Sequence, residues 1–212
     1  MINIKQFVFN AFSVNTFLIY DDQKNCLLID PSCNSEKEFQ ELDAYIQSNQ
    51  LKLKAILNTH GHMDHLPGVG YFKEKYGVPF YLSQEDEFLI DTALSHAAMF
   101  GFQLDQPPHP DKYLKDGDVF EFGNEQIELL KIPGHSPGSI VFYFPEQSIL
   151  FTGDVLFSGS IGRTDLPGGN YDQLIDGIKT RLLTLDEETL VYPGHGSSST
   201  IAKEKDENPF LQ

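Results

Sequence analysis

With 212 residues, 40% of them hydrophobic and 22% charged, the chain can bury a sizeable core, and it holds no apolar run near the roughly 18 residues that a membrane span requires. Fifteen Lys and Arg stand against 31 Asp and Glu, a formal charge of −16, which leaves little material for the basic face that phosphate-backbone binding needs. Nucleic acid and membrane are thereby excluded as expected partners, and a small-molecule substrate remains.

Taken in order, residues 2–30 read as an antiparallel meander of three strands, 2–9, 15–20 and 26–30, with a polar turn at 21–25. The N-terminus alternates like a strand and lacks the apolar core and cleavage site of a signal peptide, so cytoplasmic residence is the expectation. Cys26 and Cys33 have no CxxC spacing and fit a reducing compartment, with a disulfide between them disfavoured. Asp30-Pro31 ends the third strand. A helix follows over 35–47, with Phe39, Leu42, Tyr45 and Ile46 at helical spacing. The pattern continues with a strand at 53–57, a helix at 66–76, a strand at 78–82 and a helix from Ser83 to about residue 100. Residues 101–117, with Gln106-Pro107-Pro108-His109-Pro110, read as a surface loop. Met99, Phe100 and Phe102 beside it are expected in the core in preference to a pocket wall, and His96 and His109 read as ordinary surface histidines. Strands resume at 119–122, 126–132, 139–144 and 148–151, then a helix at 171–183, a strand at 189–192 and a helix at 201–207. Two halves of similar plan predict an α/β architecture: an αβ/βα four-layer sandwich of two mixed sheets packed face to face, with helices outside, in one domain over residues 1–212.

The strand at 53–57 delivers the densest chemistry in the chain, His60-Gly61-His62-Met63-Asp64-His65. His60 and His62 can swing to one side of a turn while Asp64 and His65 address a second point, so one ion could not easily take all four. Two adjacent cations suit the arrangement, and imidazole with carboxylate favours zinc, iron or manganese over calcium. Three further positions share one grammar, a strand end followed by a glycine-flanked ligand: His135 in Pro133-Gly134-His135-Ser136-Pro137-Gly138, Asp154 in Phe151-Thr152-Gly153-Asp154, and His195 in Pro193-Gly194-His195-Gly196.

Together these motifs resemble the metallo-β-lactamase superfamily, and within it the single-domain glyoxalase II-like hydrolases, through the segment 160–169 and the tail 204–211. The resemblance implies that His60, His62 and His135 bind one metal, that Asp64, His65 and His195 bind a second, and that Asp154 bridges them. The implied cofactors are two divalent ions, most simply Zn2+, with Fe or Mn as alternatives. The implied chemistry is hydrolysis of an anionic thioester, hydroxyacylglutathione hydrolase-like, by a metal-bridging hydroxide that Asp64 helps to orient. Ser136 and Ser139 are then turn and strand residues, since no serine nucleophile is required. True β-lactamases usually carry cysteine or another residue at the position of Asp154, which argues against antibiotic hydrolysis.

Two positions stay open. Arg163, in Gly162-Arg163-Thr164-Asp165, contacts a substrate carboxylate or pairs structurally with Asp165; Asp30 supports the ligand loop or caps a strand end. Glutathione-specific relatives look for a Lys and a Tyr in the 163 loop and a C-terminal helical domain for which this chain ends too soon, so the thiol carrier is left undetermined. A mononuclear iron persulfide dioxygenase is the alternative, similar in fold and sharing Gly-Arg-Thr-Asp, but with Ala-His-Asp-Tyr where this chain has Gly194-His195-Gly196. Nuclease members of the superfamily are disfavoured by the acidic balance.

Overall fold

The computed structural model describes residues 2–212. The chain forms two compact units, one comprising the residues up to Leu82 together with Glu87–Tyr113, the other comprising Ser83–Asp86 and Leu114–Gln212.

In the first unit, β1 (Ile2–Phe9), β2 (Val14–Asp21) and β3 (Asn25–Ile29) form the antiparallel meander, with Ile2 opposite Asp21 and Phe17 opposite Ile29. The β2–β3 turn is held by Asp21, whose Oδ1 accepts from the amides of Gln23 and Asn25 at 2.9 Å, the short-range bonding that makes aspartate a turn residue. Helix α1 (Glu36–Ser48) starts at Ser35, whose hydroxyl caps the Glu38 amide, and buries Leu42 and Ile46 one turn apart. Then β4 (Lys52–Leu57) runs parallel to β3, α2 (Val69–Tyr76) follows, and β5 (Phe80–Ser83) runs parallel to β4. Helix α3 (Glu87–Met99) and β6 (Lys112–Leu114) complete a sheet of order β1-β2-β3-β4-β5-β6. The core comprises Leu18, Leu28, Ile56, Phe72, Phe80 and their neighbours. Full burial of a side chain such as Phe72 contributes roughly 2–3 kcal/mol.

The second unit holds β7 (Val119–Phe122), β8 (Glu125–Lys131), β9 (Ile140–Phe144) and β10 (Ile149–Gly153) as an antiparallel run. A small hairpin of β11 (Leu156–Phe157) and β12 (Ser160–Ile161) turns through Gly159 at φ +73°. Helix α4 (Tyr171–Gly177) continues into a π turn at Ile178–Leu182. β13 (Leu190–Pro193) lies parallel to β10, and β14 (Ser199–Thr200) leads into α5 (Ile201–Glu207). The sheet order is β14-β13-β10-β9-β8-β7, over a core that includes Ile132, Leu150, Leu174, Ile178, Val191 and Ile201.

Several expectations need correction. The second helix begins at Val69, three residues later than its apolar pattern suggests, because Pro67-Gly68 precedes it and Gly68 lies against Pro31: a Cβ there would meet the Pro31 carbonyl oxygen at 2.8 Å. The segment 101–117 is not all loop, since β6 forms directly after Pro110. Of the three apolar residues expected in the core, only Phe102 is buried; Met99 is 79% exposed and Phe100 52%. Cys26 and Cys33 are free thiols buried in the first unit's core, as the spacing suggests. Burial pushes the Cys26 thiol up to about 12 and that of Cys33 higher still. Among the described residues, no helix is long and apolar enough to cross a membrane.

Candidate metal centre

Six of the seven ligand candidates stand just beyond the carboxyl end of a strand that has a parallel neighbour, as does Asp30; His135 instead follows β8, whose neighbours are both antiparallel. Asp30 follows β3, His60, His62, Asp64 and His65 follow β4, Asp154 follows β10 and His195 follows β13. Chain leaving such a strand end is free of ladder bonding and can turn its side chains to one task.

In the first unit the loop after β4 is built around Asp30, 1% exposed and at φ +47°. Its Oδ1 accepts from the Thr59 amide at 2.8 Å; its Oδ2 accepts from the Thr59 hydroxyl at 2.7 Å and from Nδ1 of His65 at 3.1 Å. The Thr59 hydroxyl has spent its proton on Asp30, so its 3.0 Å contact with Nδ1 of His60 requires that nitrogen to donate. In their neutral form both imidazoles then carry the proton on Nδ1, which makes Nε2 the nitrogen available to a metal. His60 and His65 are buried, with ring centroids 4.2 Å apart, and the His62 ring stands edge-on to His60 at 4.8 Å. Two amide side chains fix the loop backbone: Asn58 donates to the His65 carbonyl and Asn10 to the Asp64 carbonyl, each at 2.8 Å.

In the second unit, Nδ1 of His135 donates to the Arg163 carbonyl at 2.9 Å, leaving its Nε2 3.6 Å from Oδ2 of Asp154. Nε2 of His195 lies 3.5 Å from the same oxygen. The register of β10 against β13 slips between Phe151 and Gly153, and Gly153 at φ +49° turns the chain into Asp154. The segment 135–139 hangs on the fully buried Asp86, which accepts from the Ser136 hydroxyl at 2.7 Å and the Gly138 amide at 2.6 Å. Ser136 and Ser139 bond each other at 2.8 Å; Ser136 serves the turn as expected, while Ser139 lies just before β9 and not in it. Gly162 passes so close that a Cβ would fall 1.8 Å from the Asp154 carbonyl oxygen and 3.0 Å from Nδ1 of His135.

Three groups of side chains have ligand atoms that all lie within 4.8 Å of one another: His60, His62 and His135; His60, His65 and Asp154; Asp64, His65 and His195. All seven expected ligands are among them. The donors are imidazole nitrogen and carboxylate oxygen with no thiolate, a set that fits zinc, iron or manganese.

Of the two positions left open by the sequence, Asp30 is the support of the ligand loop, since it orients His65 directly and His60 through Thr59. Arg163 is paired: its Nε and Nη2 donate to Asp165 at 2.7 and 2.8 Å, and the guanidinium holds the Asp165 carboxyl down at about 2. Arg163 also lines a cavity of about 420 Å³ with Asp154, Phe157, Ser160, His195 and Gly196. His109 sits on the surface with Glu87 and Asp91. Sequence reasoning missed Asn10, Thr59 and Asp86. Only Thr59 carried a signal, its adjacency to His60.

Replacing Asp30 by alanine strands three buried donors. The expected result is a loss of metal affinity on the order of ten- to a hundredfold, with a destabilisation of about 3 kcal/mol or more. Chelator competition and thermal melting of the metal-free protein measure the two effects separately. Wild-type affinity in the variant would remove Asp30 from its supporting role.

The sequence pattern of the metallo-beta-lactamase superfamily matches residues 9–195. The chain is 41% identical to hydroxyacylglutathione hydrolase GloC of Haemophilus influenzae over 211 residues, 99% of this chain and 98% of that one. Among solved structures, BLEG-1 B3 metallo-beta-lactamase matches with a TM-score of 0.91 at 34% identity, covering 99% of this chain and 100% of the other. TTHA1623 in a di-iron-bound form matches at 0.87 and 38%, covering 98% and 100%. Likeness of this degree gives the chain the αβ/βα sandwich architecture that its element order predicts.

Proposed function

The chain belongs to the metallo-beta-lactamase superfamily, and from that premise we propose that it is a binuclear metal hydrolase of small thioesters, of the hydroxyacylglutathione type. One observation carries this reading. The three ligand groups overlap through His60 and His65, so that the group containing Asp154 shares one histidine with each of the other two. In this assignment His60, His62 and His135 would hold one divalent cation and Asp64, His65 and His195 the other, with Asp154 available to both. Zinc is the simplest occupant, and the di-iron relative keeps iron open. Bound there, two such ions would supply Lewis acidity toward the thioester carbonyl and a water acidic enough to attack it near neutral pH.

The protein's own groups do the rest. Asp30, Thr59 and the Arg163 carbonyl hold the rings of His65, His60 and His135 by Nδ1, which orients Nε2 of each for a metal. Asp64 would be the catalytic carboxylate that orients the attacking water, and its backbone is held by Asn10. The cavity beside Asp154 and His195 receives the substrate, a small anionic thioester. Its negative charge is answered by the cations, because the Arg163 fork is already engaged by Asp165 and positions substrate only through its exposed edge.

The test combines metal analysis of the purified protein with a substrate panel: S-lactoylglutathione, other acyl thioesters, a β-lactam and glutathione persulfide. Two ions per chain and chelator-sensitive thioester hydrolysis are expected. One iron per chain with oxygen uptake on the persulfide would establish the dioxygenase alternative instead, and turnover of the β-lactam alone would reject the thioester assignment. In Arg163→Ala, KM should rise about three- to tenfold with kcat retained, the pattern of lost uniform binding. Loss of turnover with unchanged KM would reject the positioning role.

A further inference from the structure

Glu204 is a buried carboxylate for which the metal chemistry has no use. It lies on α5 with no solvent exposure, a setting in which a carboxylate persists only when hydrogen bonds surround it. Its Oε1 accepts from the Ser199 hydroxyl. Its Oε2 accepts from the Gly159 amide at 2.8 Å and from the Asn208 side-chain amide at 2.7 Å. Asn208, also buried, donates from the same nitrogen to the Ser160 carbonyl at 3.0 Å, and Lys203 reaches the Ser158 hydroxyl at 3.1 Å.

Three of these bonds end on the tip of the β11–β12 hairpin, at Ser158, Gly159 and Ser160. That hairpin pairs only Leu156 with Ile161 and Phe157 with Ser160, too few rungs to hold a shape unaided. Yet Phe157 and Ser160 form one side of the cavity that also contains Asp154, Arg163 and His195, and the Phe157 ring stands edge-on to His195 at 6.2 Å. A wall that the local ladder cannot fix is fixed from the last helix.

We propose that Glu204, together with Asn208, is a positioning residue for substrate: it holds the β11–β12 hairpin as the cavity wall and so governs KM and discrimination between acyl groups, without touching metal or reacting atoms. The kinetic consequence rests on the thioester reading; the anchoring of the wall does not. Glutamine at 204 keeps the shape but replaces one acceptor oxygen by an NH2 group, so either the Ser199 hydroxyl must turn to accept or, with the amide flipped, the Gly159 and Asn208 donors lose their acceptor.

The experiment compares wild type with Glu204→Gln and Asn208→Ala, each as the metal-loaded full chain. It follows amide hydrogen exchange at 156–161 and at 60–65, metal content, and kcat and KM for S-lactoylglutathione and a bulkier acyl thioester. Exchange at 156–161 should accelerate about tenfold or more while that at 60–65 and the metal content hold. KM should rise about five- to tenfold with kcat within about twofold, and the ratio of kcat/KM between the two thioesters should change about threefold. Unaltered exchange in both variants, an unaltered KM, or a joint fall of kcat and metal content would overturn the proposal. If wild type cleaves neither thioester, the substrate reading fails, and exchange at 156–161 alone decides whether Glu204 anchors the wall. Should Glu204→Gln fail to fold, Asn208→Ala, which leaves Glu204 its other two donors, carries the same comparison.

Discussion

His62→Ala is expected to lower kcat/KM for thioester hydrolysis by about three orders of magnitude and to cost the protein one of its metal ions. The reason lies in the group to which His62 belongs. Its ligand atom lies within 4.8 Å of those of His60 and His135, and a catalytic site that keeps one position open for substrate typically has only three protein ligands. Alanine leaves that ion two histidines and the carboxylate that it would share with the second ion. The methyl group that remains fills little of the space, and no neighbouring carboxylate or thiol in that group replaces the donor. Metal content and turnover should fall together. His109→Ala, on the surface among Glu87 and Asp91, should leave both within about twofold of wild type, as surface substitutions do. A His62→Ala protein that keeps its metals and its activity would place the chemistry elsewhere in the chain.

Gly162→Ala should be nearly as damaging, for a steric reason. The added Cβ would stand 1.8 Å from the carbonyl oxygen of Asp154, far inside van der Waals contact, and 3.0 Å from Nδ1 of His135. Neither neighbour is the loose end of a flexible side chain. The Asp154 oxygen belongs to the backbone of a ligand, and Nδ1 of His135 is bonded to the carbonyl of Arg163, the next residue. Both ligands must shift, and a displacement of about 1 Å in a reacting geometry costs on the order of a hundredfold in rate. The variant should therefore fold, with a native far-ultraviolet spectrum, yet show kcat/KM reduced about a hundredfold and weaker metal retention. Wild-type kinetics would mean that the 162–165 segment relaxes away from Asp154 without consequence.

The candidate ligands were legible because metal-binding side chains stand out at short spacing: His60-Gly61-His62-Met63-Asp64-His65 and the three glycine-flanked positions offer their donors one by one. The long strands were legible through their apolar runs. What the sequence hid follows from two physical causes. Short strands such as β11, β12 and β14 have two residues each, too few for any period to register, and exist because distant partners hold them. The supporting side chains are invisible for a related reason. Asp86 bonds to Ser136 across 50 positions and Asn10 to Asp64 across 54, and a lone polar residue in a turn gives no sign of its partner. Asp30 was half visible: support of the ligand loop and a strand-end cap were both open, and only its bonds to Thr59 and His65 decide for the support. Met99 and Phe100 misled because apolar character alone does not say which side of a helix end meets solvent.

The condition of the two thiols bears on where an acyl group can go. An acyl group released from a thioester can pass to water or to a protein sulfur, and only a thiolate makes the second route competitive. Cys26 and Cys33 are the two sulfhydryls in the chain, both sealed in apolar surroundings that suppress their ionisation. On the thioester reading, self-acylation on these two sulfurs is thereby disfavoured.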